Sequence, residues 1–450
     1  MANLLPEVIN ISATSRAGYN FYPRSRVWEI SRDCVIHLSW IDDFLHPNLH
    51  DSYLNLLKYY VEKYSAGHAN NLSDRFREFS RFSYSNRGLV DNITANDLIN
   101  YRSTLAKEQE WYLGTIRVFI KAWIELGYSG VDGDVSSLLK GWRLSGNKKG
   151  RAVQTLCPKE GPLSDLEFEA LHLSLVDAFE SEDVTLEEFV LVQLFLATGR
   201  RPAQIGDLKA KDIIDASSEN GLKEFIVNVP RGKQRGSSWR DQFTPFALVP
   251  EIGVALKALN DSNLFKFSAL SGGSCQYFVH ELPVFPNWKK IKETLGSVTK
   301  PDELRLILKS QEFHRATSTL SKQLDKVVSI LEVHSERTGT NLKVFPTRLR
   351  RTLATRAARE GYGVLVIAGL LDHTDTQNAL VYTENVPEHV DAINEAVARQ
   401  LAPLAQAFAG MLVTKESDAV RGDDLSSRVR SDLGNVGTCG HHGFCGAFSP

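Results

Sequence analysis

Between Asp51 and Trp142 apolar residues recur three and four positions apart. YLNLLKYYVEKY, ITANDLINYRSTLA and WYLGTIRVFIKAWIELG each gather them on one side of a 3.6-residue period, with short turns rich in Ser, Asn and Gly between. The pattern predicts a small all-helical domain over residues 51–142. The preceding residues, 1–50, show no comparable period and stand as an unassigned N-terminal arm. A second domain opens after residue 162, where Ser164-Asp165-Leu166-Glu167 and Thr185-Leu186-Glu187-Glu188 have the form of capping boxes ahead of helices. EFIVNVP and FTPFALVP, separated by RGKQRGSS, read as two strands of a hairpin. Helical patterning then returns, interrupted by a weakly patterned stretch over 260–317 that reads as an insertion. The expected fold is mainly α with a small β-sheet: an all-α first domain, then an α+β domain over residues 163–413.

Between the two, WRLSGNKKGR carries Arg143, Lys148, Lys149 and Arg151 with no acid, and its Ser, Asn and Gly residues discourage regular structure. Residues 143–162 therefore read as a basic linker. After Pro387, Val390, Ile393, Val397, Leu401, Leu404, Phe408 and Met411 form a narrow apolar stripe. It fits a helix packed on its own domain, kinked at Pro403. A tail, residues 414–450, closes on CGHHGFCGAFSP. Cys439, His441, His442 and Cys445 are donors of the kind zinc takes, but their spacing matches no strong finger pattern, so incidental thiols in a tail are the preferred reading.

Length and charge narrow the class. A chain of 450 residues has room for two to four domains. Lys plus Arg (52) against Asp plus Glu (54) leaves a net charge of -2, which excludes a wholly basic coat protein and leaves local basic patches open. Five scattered cysteines suit a reducing cytosol better than a disulfide framework. The longest apolar run, Phe189 to Ala197, is too short to span a bilayer and contains Gln193. The N-terminus lacks the basic flank and apolar stretch of a leader. A soluble, cytoplasmic protein is expected, with no membrane partner. A Gly-Lys-Ser/Thr phosphate loop and an acidic cluster for two-metal chemistry are both missing from the sequence, so neither ATP nor a metal cofactor is expected.

Four separated segments of the second domain carry candidate chemistry: ATGRRPAQIGDL, RGKQRGSSWR, FPTRLRRTLATRAARE and LLDHTDTQNALVYTENV. Arginine suits phosphate because its planar fork donates two parallel hydrogen bonds and stays charged. A tyrosine can act as a nucleophile if cations stabilise the charge that builds on the attacked group. Each segment alone is ordinary, since a lone tyrosine on an apolar helix is usually a core residue.

In this order and spacing they resemble the tyrosine recombinase (phage integrase) family. ATGRRPAQI looks like its first arginine box, TRLRRTLAT like its second, and LLDHTDTQNALVYT like its histidine-to-tyrosine box; the likeness covers roughly residues 163–409. The resemblance implies a core-binding first domain, a catalytic second domain, and catalytic roles for Arg201, Lys233, Arg350 and His373, with Tyr382 as nucleophile. Thr347 stands where that family usually has a histidine, which leaves the general base unassigned. Arg143, Lys148, Lys149, Arg151, Arg231, Arg235, Arg348 and Arg351 are candidate DNA contacts. The activity implied by the resemblance is site-specific recombination or integration through a 3′-phosphotyrosine for a mobile element. The resemblance also implies double-stranded DNA as partner, a tetramer on DNA, accessory recombination proteins, and a C-terminal helix exchanged between protomers. A type IB topoisomerase acting on one duplex, or a DNA-binding accessory protein with a dead site, are the alternatives.

Overall fold

The computed structural model describes residues 12–144, 150–217, 224–232, 239–272, 277–298, 300–373, 376–383, 414–419, 421–431 and 434–438. Lys148, Lys149, Lys233, Arg235, the stripe from Val390 to Met411, and the Cys439, His441 and Cys445 cluster lie outside them. The chain divides into two units: residues 1–358 with 362–383, and residues 359–361 with 384–450.

The first unit begins with two small antiparallel hairpins, β1 (Ala13–Thr14) with β2 (Asn20–Phe21) and β3 (Val27–Ser31) with β4 (Cys34–His37). Residues 12–50 of the arm without a sequence assignment are thus folded. Trp28 and Ile30 alternate inward on β3, and Ile36 and Leu38 face the same core. Six helices follow: α1 (Trp40–Phe44), α2 (Pro47–Lys63), α3 (Ala66–Arg87), α4 (Ala95–Thr104), α5 (Trp111–Glu125) and α6 (Val135–Gly141). Their periodic apolar faces meet around Tyr53, Phe76, Phe119 and Trp123, all fully buried, with Tyr53 and Phe76 stacked at 5.4 Å. Ser65 caps α3, and Thr94 with Asp97 forms a reciprocal capping box on α4. Burying rings of this size is the main source of stability here, each worth a few kcal/mol by about 25 cal/mol per Å².

A short helix, α7 (Arg151–Gln154), lies in the linker. Gly150 sits at φ +81, and a Cβ there would come within 2.5 Å of Val381, so the linker runs directly against the segment bearing Tyr382. In the second domain α8 (Asp165–Glu180) and α9 (Leu186–Thr198) start on the two expected capping boxes. α9 is apolar on every face and passes through the core. It leads into α10 (Pro202–Gly206), then a three-stranded antiparallel sheet in the order β5 (Ile213–Asp215), β6 (Phe225–Pro230), β7 (Phe243–Leu248). The hairpin read from sequence is β6–β7, registered Phe225 to Leu248 through Pro230 to Phe243, and β5 adds an edge strand.

α11 (Pro250–Leu270) packs on β6 through Gly253, where a Cβ would fall 2.1 Å from the Phe225 ring. The stretch 260–317 is a helical outgrowth with its own core. The end of α11, α12 (Trp288–Leu295) and α13 (Pro301–Lys309) bury Phe267, Leu282, Ile291, Leu304, Leu308 and Phe313 together. Its anchor is Lys209, whose ammonium donates to Glu281 at 3.0 Å and to the Leu308 carbonyl at 2.7 Å. Burial, opposed by Glu281, pushes that lysine down to about 8. The unit continues through α14 (Thr317–Leu331), α15 (Pro346–Arg359), α16 (Val364–Leu370) and α17 (Gln377–Thr383). The second unit, by itself, contains a hairpin of β8 (Arg428–Ser431) and β9 (Gly434–Thr438), with Arg428 paired to Glu416. Among the described residues no helix is long and apolar enough to cross a membrane, and no three His, Cys, Asp or Glu side chains gather as a metal site. The fold is mainly α with a small β-sheet.

Candidate active site

Four chain segments converge in the second domain: the junction of α9 and α10, the end of β6, the N-terminal half of α15, and the turn between α16 and α17. α9 terminates at Gly199, left-handed at φ +55, where a Cβ would meet Leu353 at 2.8 Å. Arg200 follows, and Arg201 becomes the N-cap of α10 with Pro202 at its first position. Arg231 and Gly232 leave the end of β6, α15 supplies Arg350, and the turn between α16 and α17 supplies Asp372 and His373. Tyr382 lies on α17, 8% exposed.

Arg350 ties the segments together. Its Nη1 donates to the Gly199 carbonyl at 3.2 Å and its Nη2 donates to the Leu371 carbonyl. An arginine from the second box thereby bridges the turns of the first and third. Asp372 performs the complementary task from the acidic side. Its side chain is fully buried, and its carboxylate accepts Arg231 Nε at 2.7 Å, the Gly232 N–H at 2.8 Å and Gln204 Nε2 at 3.1 Å. Arg201 Nη1 lies 3.6 Å away and Arg200 Nη1 4.0 Å away. Asp372 sits at φ +51, a conformation that costs a branched or bulky residue dearly and that Asp tolerates better than most.

The electrostatics are unbalanced toward cations. Burial, reinforced by the charge of Arg201, pushes Arg350 down to about 9. Burial pushes Arg200 down to about 10 against the pull of Asp372. Arg201 is lowered by burial too, with Asp372 again opposing. All three remain charged near neutral pH. Arg200 is completely buried, lies over the Phe246 ring at 4.8 Å, and its guanidinium nitrogens make no hydrogen bond among the described residues. Guanidiniums that depress one another and retain unused donors favour an incoming anion, above all a tetrahedral oxyanion that accepts forked hydrogen bonds. The Tyr382 phenol is raised by burial, with Arg350 and Arg351 pulling the other way. Those two guanidiniums therefore stand where they would stabilise a phenolate.

Of the residues read from sequence, the structure brings together Arg201, Arg350, Tyr382 and Arg231. His373 follows Asp372, half-buried, with its backbone N–H closing α16 on the Ala368 carbonyl. Thr347 is exposed on the first turn of α15. Arg143 and Arg151 are exposed on either side of the linker segment 145–149.

Arg348 is a correction: it is not an available DNA contact. Its guanidinium is 1% exposed and donates to the carbonyls of Gly161, Pro158 and Lys343 and to Glu167. A helix places Arg348 and Arg350 about 200° apart, so only one of them can face the cluster. Arg351, half-buried, donates to the Glu160 carbonyl. Arg231, a candidate DNA contact on sequence grounds, is turned to Asp372. Sequence reasoning missed Asp372, Gln204 and Arg200 as members of the site. Asp372 lay inside a segment already singled out, but its neighbour His373 drew the attention, and a left-handed turn at an aspartate leaves no periodic signal.

No family model matches the chain, and no curated protein matches it. Solved structures do. XerA recombinase is 18% identical over 77% of this chain and 98% of its own, with a TM-score of 0.31. XerH site-specific recombinase, in a pre-cleavage complex with its difH substrate, is 15% identical over 77% of this chain and 84% of its own, with a TM-score of 0.42. The Tn1549 transposon integrase, in complex with transposon right end DNA, is 12% identical over 78% of this chain and 98% of its own, with a TM-score of 0.44.

Proposed function

We propose that the chain is a DNA strand transferase of the tyrosine recombinase type. The observation that carries this reading is a buried tyrosine acted on by the charge of Arg350, whose guanidinium bridges the Gly199 and Leu371 carbonyls next to Arg200, Arg201 and Asp372, assembled from segments up to about 180 positions apart. In the proposed reaction Tyr382 Oη attacks a scissile phosphodiester and loses its proton to solvent water. A P–Oη bond forms, the P–O5′ bond breaks, and the released 5′ oxygen takes up a proton to become a free hydroxyl. Arg201 and Arg350 hold the nonbridging oxygens, where charge accumulates at the transition state. Lys233, on the connection that follows Arg231 and Gly232, is the proposed proton donor. The phosphotyrosine retains the energy of the broken linkage, so a 5′-hydroxyl from another duplex reverses the step without ATP.

Two features shape this proposal. Tyr382 is largely covered, so α17 must shift to present the phenol to a phosphate. Exchange between two duplexes needs several active copies, which makes an oligomer on DNA the proposed working form, with the exposed Arg143 and Arg151 among its phosphate contacts. A nicked duplex that loses its 5′ fragment on cleavage tests the reading. The wild-type chain should become covalently attached through a 3′-phosphate, and Tyr382→Phe should abolish attachment while DNA affinity changes little. An adduct that persists in Tyr382→Phe removes the assignment.

A further inference from the structure

The turn of the β3–β4 hairpin, Arg32-Asp33, belongs to the first domain by its strands, yet its side chains reach the second. Arg32 Nη1 lies 2.8 Å from Asp207 Oδ1, and the Arg32 side chain is 5% exposed. The Asp33 carboxylate accepts the Thr317 N–H at 2.6 Å and the Thr317 hydroxyl at 2.5 Å. These partners end two helices that pack together: Asp207 is the C-cap of α10, and Thr317 is the first residue of α14. α14 has no cap of its own, since Ala316 precedes it and its first turn contains no acid. Asp33 therefore satisfies an orphan donor of α14 and complements its dipole from 284 residues away.

Asp207 is in the opposite position, a carboxylate held up by burial, with Arg32 as the foremost counter-charge. Arg240 joins the cluster by donating to the Asp207 carbonyl and to both oxygens of Asp212. Arg240 lies near the end of the β6–β7 connection that begins at Arg231, so the hairpin tip is linked both to α10 and to that connection. His314 packs beside them, its Nδ1 2.7 Å from the Gly206 carbonyl. α10 has five residues, a rise of about 7 Å, with Asp207 at one end and Arg201 at the other. A single helical turn transmits a displacement at its C-cap to its N-cap.

We propose that Arg32 and Asp33 are positioning residues for strand cleavage: the first domain's hairpin grips α10 and α14 and so sets where Arg201 meets the phosphate. The proposal rests on the strand-transferase reading. Its test uses the full chain with Arg32→Gln, Asp33→Asn, Arg32→Lys and the double variant Arg32→Gln/Asp207→Asn. Two readouts are taken: amide hydrogen exchange over 200–208 and 316–322 without DNA, and single-turnover attachment to the nicked duplex at saturating protein.

Arg32→Gln should speed exchange over 200–208 and slow attachment, each by about tenfold, because sub-ångström errors at a catalytic donor are costly, while duplex affinity stays within about threefold. Asp33→Asn should act chiefly on 316–322. The double variant should return both readouts to within about threefold of wild type, since a neutral amide tolerates burial where an unpaired carboxylate does not. Arg32→Lys, which keeps the charge, should remain folded and lose less than Arg32→Gln. Wild-type exchange and rate in Arg32→Gln would overturn the proposal, as would a double variant whose exchange recovers while its rate does not. The expected exchange changes in the variants, together with a wild-type chain that attaches to no DNA, would instead remove the strand-transferase reading and leave Arg32 as a clamp on α10 alone.

Discussion

Glu167 and Asp372, two of the buried carboxylates of the second domain, are each met by several arginines, and they are built to opposite ends. Glu167 accepts from Arg337, Arg348, Ser335 and the Ser164 N–H, and Arg348 gives its remaining donors to the linker carbonyls of Gly161 and Pro158 and to the Lys343 carbonyl. The Arg348 guanidinium nitrogens all have partners, and of the Arg337 guanidinium only Nε makes no hydrogen bond among the described residues. Burial works to raise the Glu167 carboxyl, but bonds from Arg337, Ser335 and Ser164 and the charge of Arg348 outweigh it and hold it low. Around Asp372, among the described residues, Arg200, Arg201 and Arg231 face one carboxylate, the Arg200 guanidinium nitrogens make no hydrogen bond, and Arg350 and Arg200 are depressed. The first cluster is a strut that fastens the linker to α15. The second, among the described residues, leaves guanidinium donors without a hydrogen bond, as the proposed phosphate site requires. Arg348 and Arg350, two positions apart on one helix, fall into different clusters, so charge along the sequence cannot distinguish a strut from a site. What distinguishes them is where the donors go.

The largest effect should come from breaking the strut. Arg348→Ala leaves Glu167 short of a counter-charge and three carbonyls short of a donor, and should cost about 3–5 kcal/mol in denaturant unfolding. A loss below about 1 kcal/mol would show that the two clusters do not differ as described. Next, Arg201→Lys and Arg350→Lys should slow single-turnover cleavage about a hundredfold to a thousandfold at saturating DNA, equivalent to about 3–4 kcal/mol, because lysine keeps the charge and loses the fork. Near-normal rates in both, with collapse at Arg351→Lys instead, would place the phosphate one residue away.

A smaller effect sharpens the contrast. Asp372→Asn removes the resident negative charge, so the DNA-free chain should lose about 1–3 kcal/mol while the gain in Tm on adding a short duplex widens. A gain that stays the same would mean that Asp372 does not stand in for a bound anion. The smallest effect is the pH response of the strut. Glu167 has a lowered folded pKa, so its contribution is complete above its ordinary value of 4.5 and fades as pH falls through the folded value. Glu167→Gln should therefore flatten the acid limb of the stability curve below that pH and shift the neutral plateau downward. An acid limb identical to wild type would argue that Glu167 is already uncharged in the native state.

The periodic faces of residues 51–142, the boxes at Ser164 and Thr185, and the strands at 225–230 and 243–248 were all legible in the sequence. Each depends on contacts within a few residues, through helix pitch, a reciprocal cap or alternation along a strand. So was the set Arg201, Arg350 and Tyr382, because their spacing resembles a known arrangement. The hairpins at 13–37 were not legible, since strands of two to five residues are too short to establish a period. Nor was the core of the insertion, where Phe267 and Phe313 meet only after the chain has turned twice.

The direction in which each arginine points and the carboxylate it meets depend on groups more than a hundred positions away: Glu167 for Arg348, Asp372 for Arg201 and Arg231, Asp207 for Arg32. By itself, then, the sequence determined the elements and the inventory of charged and nucleophilic side chains, because backbone hydrogen bonding and apolar periodicity act locally. Only the tertiary structure decided which charges are neutralised and which remain for a ligand. That decision is made by burial and by long-range pairing, and neither exists until the chain has folded.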